Sequence, residues 1–570
     1  LRAFGSEAEM AAYHRELVEA ILSKPPLGAA QTDPSYSTPP SSPADSAPAP
    51  AAPRIFGDPL IRAHGQHLVV LREGRLSTIR IAGGALEREQ AVDALGPGEE
   101  LDGMLFYALE DADAGAGVRV LAARTSGDTS ESHVAAFRVG ADGRLERDGG
   151  TVLRSAGGLY GGAHATRRLD DRVVFYDRID IPLRDPDPTA ALPMLRGADG
   201  RLATTVDPRR VYPAVTPMSW PDQPRLHVVT ICADAEPACA ATALYAPEPA
   251  AVHLSANAVY LWTRHAYAAG AADEEGPEIE TLYRMPLDGS APSALQVSGS
   301  TFSADAFLES ADGYLNVHFL HGGWTEEAWS QLPTPTLLRV PLSAFGDGRR
   351  APQQRHYRPL RRLGGPFISR YAGDWLVYGN RAHDGYRVGA GPIAPTRDEG
   401  LGIGMLRWAD TAAPAWLPLQ RPTQAFAALG DGGVLALVGG GDSTVLAYLP
   451  LGPSARMAAM AAPRVEQWEG ALRGVVAHPG NTAESGLLAI VTGIHPTPYR
   501  WVSTGVAFVR YDAAGMRQVG ELSRSSEPAG DREVVPVFAD GRIFVLLGGE
   551  LVEVEEKDGG VRELRRIPLP

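Results

Sequence analysis

The sequence predicts an all-β chain folded as a β-propeller, with eight blades expected and seven to nine compatible with the count. Two observations carry the prediction. Nine times along the 570 residues, a short turn carrying Asp, Asn or Gly leads into an apolar run of five to eight residues. HLVVL follows Gly65, MLFYAL follows Asp102-Gly103, RVVFY follows Asp171, AVYLW follows Asn257 and YLNVHFL follows Asp312-Gly313. WLVYG then follows Gly373-Asp374, GVLALVGG follows Asp431-Gly432, LLAIVTGI follows Ser485-Gly486 and RIFVLLGG follows Asp540-Gly541. The first and last turns lie about 475 residues apart, a mean period of roughly 60 residues, in the long-repeat regime of propellers and arrays. The second observation lies inside each unit, which reads as four strands. The last unit runs EVVPVFA, RIFVLLGG, ELVEVEE and VRELRRI. Alternation in ELVEVEE marks a half-buried strand, whereas a continuous run such as LLAIVTGI suits a strand covered on both faces by neighbouring blades. Rings of this kind often close by sharing one blade between the chain ends, so nine runs translate into an expected eight blades.

Ahead of the repeats, residues 6–23 read as one amphipathic helix. Ser6 and Glu9 have capping-box spacing, and Met10, Tyr13, Leu17 and Ile21 fall on one face. Lys24-Pro25-Pro26 ends it. Residues 27–53 are rich in Pro, Ser and Ala and too poor in apolar side chains to fold, a disordered-like linker. In polyproline form it would reach about 80 Å, at roughly 3.1 Å per residue. The expected organisation is therefore a helix at 1–26, a linker at 27–53 and the propeller at 54–570. The helix is read either as a docking element or spacer beside a membrane anchor such as a lipidated N-terminus, or as an element lying on its own propeller.

Composition narrows the partners. The formal net charge is −15, which disfavours nucleic acid and anionic lipid as ligands. No stretch approaches the 18 uninterrupted apolar residues that a spanning helix needs. Lys24 and Lys557 are the only lysines and every other fixed cation is Arg, which with the Ala, Gly and Pro load suggests a GC-rich bacterial genome. Cys232 and Cys239, with six residues between them in TICADAEPACAATAL, suit a disulfide closing a small loop in an oxidising compartment. Two buried thiols are the alternative. The chain begins at Leu1, as it would after removal of a signal segment.

Several segments resemble a known group: LRAFGSEAEMAAY at the start, DPLIRAHGQHLVVL where the repeats begin, then VHLSANAVYLW, TLYRMPLDGS, FLESADGYLNVHFL and the closing REVVPVFADGRIFVLLGGELVEV. In their order and spacing the chain resembles secreted bacterial and archaeal proteins with a C-terminal β-propeller domain distantly related to WD40 repeats. The resemblance implies an extracytoplasmic protein built of a short helix, a low-complexity linker and a propeller, and it implies no established activity. The chain departs from that pattern at Arg54-Ile55-Phe56-Gly57-Asp58, where the group carries an acidic Val-Asp-Glu-type segment.

Motifs of chemistry are scarce. There is no G-x-S-x-G, no G-x-x-x-x-G-K-[ST] and no H-E-x-x-H. VGGGDST (438–444) stands between two strands and so reads as a hairpin turn, because a phosphate loop needs a helix behind it. The nine tryptophans do not recur at one position per repeat, which weakens a quinone-cofactor reading. His318 and His321 in NVHFLHGGWTEE, with Glu326 and Glu327 nearby, could supply a metal or acid–base site. In an unbroken strand, however, residues three apart point to opposite faces. His164, His383, His478 and His495 also flank Gly or Pro. The acidic stretches holding Asp111 and Asp113, and Asp185 and Asp187, are candidate calcium ligands that lack the D-x-[DN]-x-[DN]-G pattern. No cofactor is predicted beyond that possible calcium.

The longest departures from the repeat fall at 178–224, 264–278, 320–334 and 380–400, and these are where a scaffold of this kind carries function. Trp324, Trp329, Tyr386 and Trp501 are the best candidate binding anchors, joined by His318 and His321. The expected function is a non-catalytic extracytoplasmic binding or scaffold module, periplasmic, outer-membrane-associated or secreted. Its expected partner is a protein of the cell envelope or surface. The alternative is an extracellular hydrolase or lyase with its site at the channel mouth.

Overall fold

The computed structural model describes the chain except residues 23–59, 73, 96–105, 112–116, 127–128, 157–164, 170–171, 182–188, 190–191, 197–200, 219–223, 234–238, 265–278, 300, 302–303, 322–333, 362–366, 381–400, 431, 440–443, 453–456, 466, 469–470, 473, 498–499, 524–533 and 570. Nine antiparallel sheets follow one another, each built around four strands that are consecutive along the repeat unit. They span 61–93, 106–156, 165–247, 249–298, 307–359, 367–418, 423–461, 475–523 and 534–568, and are called blades 1 to 9. Eight of the nine apolar runs are the second strand of a blade. MLFYAL differs: residues 106–109 begin the first strand of blade 2, Phe106–Asp111.

Nine blades, not the expected eight, follow from how the ring closes. Blade 1 takes all four strands from 61–93 and blade 9 all four from 534–568, so the chain ends share no blade. Side chains do the joining. Arg542 donates to the carbonyls of Ile81 and Ala85, and Arg565 donates to Ala85 at 3.0 Å. Both arginines converge on buried Glu553, Arg542 Nε at 2.6 Å and Arg565 Nε at 2.5 Å from its carboxylate. At the other end of the same seam Arg72 donates to the Leu569 carbonyl at 3.1 Å. Between these clasps Ile61, Leu68, Val70 and Ile79 pack on Phe544, Leu546 and Leu551.

Every seam around the ring has its own apolar cluster. Val69 and Leu71 meet Val118 and Val120 between blades 1 and 2, while Tyr260 and Trp262 meet Phe307 and Phe319 between blades 4 and 5. Leu435 and Leu437 meet Leu488 and Ile490 between blades 7 and 8. Each such side chain stabilises by roughly 1.5–3 kcal/mol when fully buried. This explains the continuous apolar second strands, which are covered by a blade on each side.

Three blades are widened. The hairpin Met194–Arg196 with Leu202–Thr204 adds two strands to the outer edge of blade 2. Val206–Tyr212 lies parallel to Cys239–Pro247 and adds one to blade 3. Inside the ring, the inner strand of blade 7 gains a neighbour on its channel edge, where Ala471 pairs with Phe426. That neighbour comes from an excursion in the run-up to blade 8: Val465 pairs with Thr492, and pairing with the same strand resumes at Val475 with Ile490. The 178–224 departure is thus partly built into two blades rather than left as loop.

Helix α1 (Glu7–Leu22) lies on blade 3. Glu9 N–H donates to Ser6 Oγ at 3.2 Å, and Glu9 Oε2 accepts from Gly5 N–H at 2.6 Å, so the two residues act as the sequence spacing predicts. Phe4, Met10, Leu17 and Ile21 are buried against Ile179, Leu226, Val228, Ala243 and Tyr245. Val173 and Phe175, on the same side of the same strand as Ile179, pack instead on Leu121 and Val134 of blade 2. The helix therefore covers that face of blade 3 toward the Asp180 and Pro224 ends of its strands, where the long connection leaves. Among the described residues no helix is long and apolar enough to cross a membrane.

Candidate functional site

Strand direction alternates within each blade, so the turns between first and second strands, and between third and fourth, all lie on one face of the ring. Those between second and third strands lie on the other. The first is a face of mostly short turns, its longest connection being residues 342–356 of blade 5. At the blade 9 hairpin Asp540 has φ 50° and Gly541 φ 67°, the paired left-handed conformation of a type I′ turn. Asp558 (φ 54°) and Gly559 (φ 75°) repeat it between the last two strands. Blade 3 ends there in the hairpin that the disulfide Cys232–Cys239 closes, with the two cysteines directly paired across the strands. The sequence expectation for these cysteines is met.

The four long departures leave from the opposite face. They connect the second and third strands of blades 3, 4, 5 and 6, starting after Asp180, Arg264, His321 and Asn380 and returning at Pro224, Ile279, Thr334 and Gly402. Four consecutive blades thus send a connection of twelve or more residues from one side of the ring.

Around these strand ends the described polar side chains form compact sets. In blade 3, Arg178 pairs with Glu248, and Arg225 bridges Glu248 and Asp180, each at 2.9 Å. Beneath them Tyr176 OH donates to His227 Nδ1 at 2.9 Å, and His227 Nε2–H donates to the Pro247 carbonyl at 3.2 Å. Burial pushes His227 down to about 3 and raises Tyr176, so the pair stays neutral. In blade 4, fully buried Glu280 accepts from Trp262 Nε1–H, and Arg264 Nε reaches it at 2.9 Å. In blade 6, Asn380 Oδ1 accepts from Gly402 N–H at 3.0 Å.

The strand Tyr314–His321 runs unbroken through both blade 5 histidines, and they diverge. His318 is fully buried and faces blade 6, with the Phe367 ring at 4.4 Å and the Tyr378 ring at 5.4 Å. Burial alone lowers its pKa to about 3. His321 faces blade 4, where its Nδ1–H donates to the Ser298 carbonyl at 2.9 Å. The structure does not bring the two rings together. His478 lies on the turn face, against Phe538 at 5.0 Å.

Trp324, Trp329, Tyr386, Asp113, Asp185, Asp187, His164 and His383 lie outside the described residues. Asp111, His495 and Trp501 are placed by backbone only, in the first strand of blade 2 and the long second and third strands of blade 8. Among the described residues no group of three His, Cys, Asp or Glu side chains is gathered for a metal ion. Sequence reasoning missed the Tyr176–His227 pair and the Arg178–Glu248–Arg225 set. The available signal was polar residues interrupting the apolar runs RVVFYDRID and RLHVVTIC.

These elements define an all-β protein, a closed nine-bladed propeller with one N-terminal helix. Solved structures to which the chain is similar include apo AztD from Citrobacter koseri, 12% identical, covering 88% of this chain and 94% of its own with a TM-score of 0.34. A putative 6-phosphogluconolactonase from Bacteroides fragilis is 10% identical, covering 83% and 97% respectively, with a TM-score of 0.26. Hsv2 from Kluyveromyces lactis is 9% identical, covering 82% and 99%, with a TM-score of 0.31. No family model matches the chain, and no curated protein sequence matches it. At such identities these likenesses concern the fold alone.

Proposed function

We propose that the chain is a non-catalytic, extracytoplasmic propeller that uses its insertion face to hold a protein partner of the cell envelope or surface. The observation that carries this reading is the placement of the four long connections, which leave one face of four consecutive blades, while the other face carries mostly short turns and one connection of comparable length, 342–356 of blade 5. A rigid ring that concentrates its irregular chain on one side suits recognition of a broad surface. Trp324 and Trp329 in the blade 5 connection and Tyr386 in the blade 6 connection are the proposed anchors, with Trp501 at the rising hairpin of blade 8. The disulfide supports the oxidising compartment. A hydrolase or lyase would need titratable groups from several blades to meet, whereas the described His227, Glu280, His318 and His321 are each held by neighbours in their own or the adjoining blade.

The test is capture from native envelope fractions by the full chain and by a variant carrying Trp324→Ala, Trp329→Ala and Tyr386→Ala. Recovery of one partner by the full chain and its loss from the variant, with unchanged thermal unfolding, is the expected result. Equal recovery by both chains would remove the insertion face as the binding surface.

A further inference from the structure

We propose that the N-terminal arm, residues 1–22, is an exchangeable element, and that the blade 3 groove it fills also accepts the arm of a second copy of this chain. Three observations lead there. Among the described residues the arm packs on partners remote in sequence. Phe4 N–H donates to the Val211 carbonyl at 3.0 Å, Tyr13 Oη accepts from Ala214 N–H at 3.3 Å, and Phe4, Met10, Leu17 and Ile21 enter an apolar cluster drawn from 179–245. Such an interface is indifferent to which copy supplies the arm.

The ring, secondly, does not need the arm to close. Closure is made by blades 1 and 9, where Glu553 holds Arg542 and Arg565, Arg542 donates to Ala85 and Arg72 donates to Leu569, whereas the arm lies on blade 3. The arm can leave while all nine blades keep their strands. Thirdly, α1 ends at Leu22, which is 58% exposed. Thirty-seven residues, 23–59, then separate it from the first described residue of the ring, Leu60, and they include the Pro/Ser/Ala-rich stretch. At roughly 3.5 Å per residue such a length reaches at most about 130 Å, enough span for the arm of one copy to meet the groove of another. Exchange conserves every arm–groove contact, so concentration alone decides between closed monomer and arm-swapped dimer.

The arm's aromatic residues give the groove its selectivity. Phe4, Tyr13 and Tyr245 form a ring cluster with centroids 5.3 Å apart for the first two and 5.3 Å apart for the last two. Buried His14 lies beside it, 6.4 Å from Tyr245. An incoming segment must therefore offer an aromatic ring ahead of a helix whose Met and Leu repeat on one face, which this chain's own residues 1–22 do.

The experiment uses the full chain. A Leu17→Asp variant carries a defective arm and an intact groove, and a fluorescent peptide of residues 1–22 is titrated against it and against the unaltered chain. The expected result is saturable binding to L17D and at least tenfold weaker apparent binding to the unaltered chain, whose groove is filled in cis. In parallel, two differently tagged unaltered chains are incubated together at high concentration, and mixed dimers, absent when both carry L17D, are expected on capture of one tag. Circular dichroism and thermal unfolding of L17D report that the ring is folded. No peptide binding to folded L17D overturns the proposal. Peptide binding without mixed dimers also overturns it, and would leave the groove as a site for some other helix.

Discussion

The two faces of the ring differ in what they do with the same kind of strand end. On the turn face, most connections are short, and their polar groups tie blade to blade. Glu309 of blade 5 accepts from Asn257 at 2.9 Å and Tyr260 at 2.8 Å of blade 4, and Glu553 gathers two arginines that also hold blade 1. On the insertion face, the best-defined set, Arg178, Arg225, Asp180 and Glu248, fixes the stem of a single long connection. One face holds the ring together and the other presents chain. Substitutions on the first should cost stability and leave binding intact, and those within the long connections of the second should do the reverse.

Acid gives the largest effect, and it probes the buried side of the insertion face. His227 and His318 are both lowered to about 3 by burial, against an ordinary value near 6.5. Between those values the unfolded chain binds protons that the folded chain refuses. Their stabilisation is therefore complete above about pH 6.5 and is lost as pH falls toward 3, by about 1.4 kcal/mol per pH unit for each ring. Urea unfolding between pH 7 and 4 should show that slope, and His318→Phe should remove roughly half of it.

Glu553→Ala comes next. It leaves Arg542, a mostly buried guanidinium, without its carboxylate and should cost about 3 kcal/mol, at the low end for a broken buried pair because Arg565 is partly solvated. Burial alone would raise the Glu553 carboxyl, but the hydrogen bonds from Arg542 and Arg565 outweigh it and hold the group below its usual range. Glu553→Gln should therefore recover only part of the loss, measured as a thermal midpoint.

Reduction of Cys232–Cys239 should cost roughly 2.5 kcal/mol by the loop-closure argument, read as the shift in urea midpoint on adding a thiol reductant. Gly541→Val forces a β-branched residue into φ 67° and should cost about 1–2 kcal/mol. Trp324→Ala with Trp329→Ala should change stability by less than about 0.5 kcal/mol while abolishing partner capture.

What the sequence disclosed tracks how local each signal is. The turn-and-run unit repeats nine times and yields nine blades, because each run must be covered on two sides and says so by its composition. The discount to eight assumed a shared closing blade, and the Glu553 clasp that replaces it joins residues more than 450 apart in sequence, as in Arg542 to Ala85. The helix face Met10–Leu17–Ile21 was legible by its period, but its seat on blade 3 was one of two readings that sequence left open. The strand Val206–Tyr212 escaped notice because its parallel partner begins at Cys239, beyond a Pro-rich stretch. The divergence of His318 and His321 followed from the two-residue period of a strand. Of the proposed binding anchors, the sequence gives residue type and the strand ends give the face.

The most direct test places a photo-reactive aromatic residue at position 329 in one full-length chain and at position 312, on the turn face, in another. Each is irradiated in native envelope fractions. The account predicts one discrete cross-linked partner from position 329 and none from position 312. Cross-linking from position 312 with none from 329 would contradict it and assign recognition to the turn face.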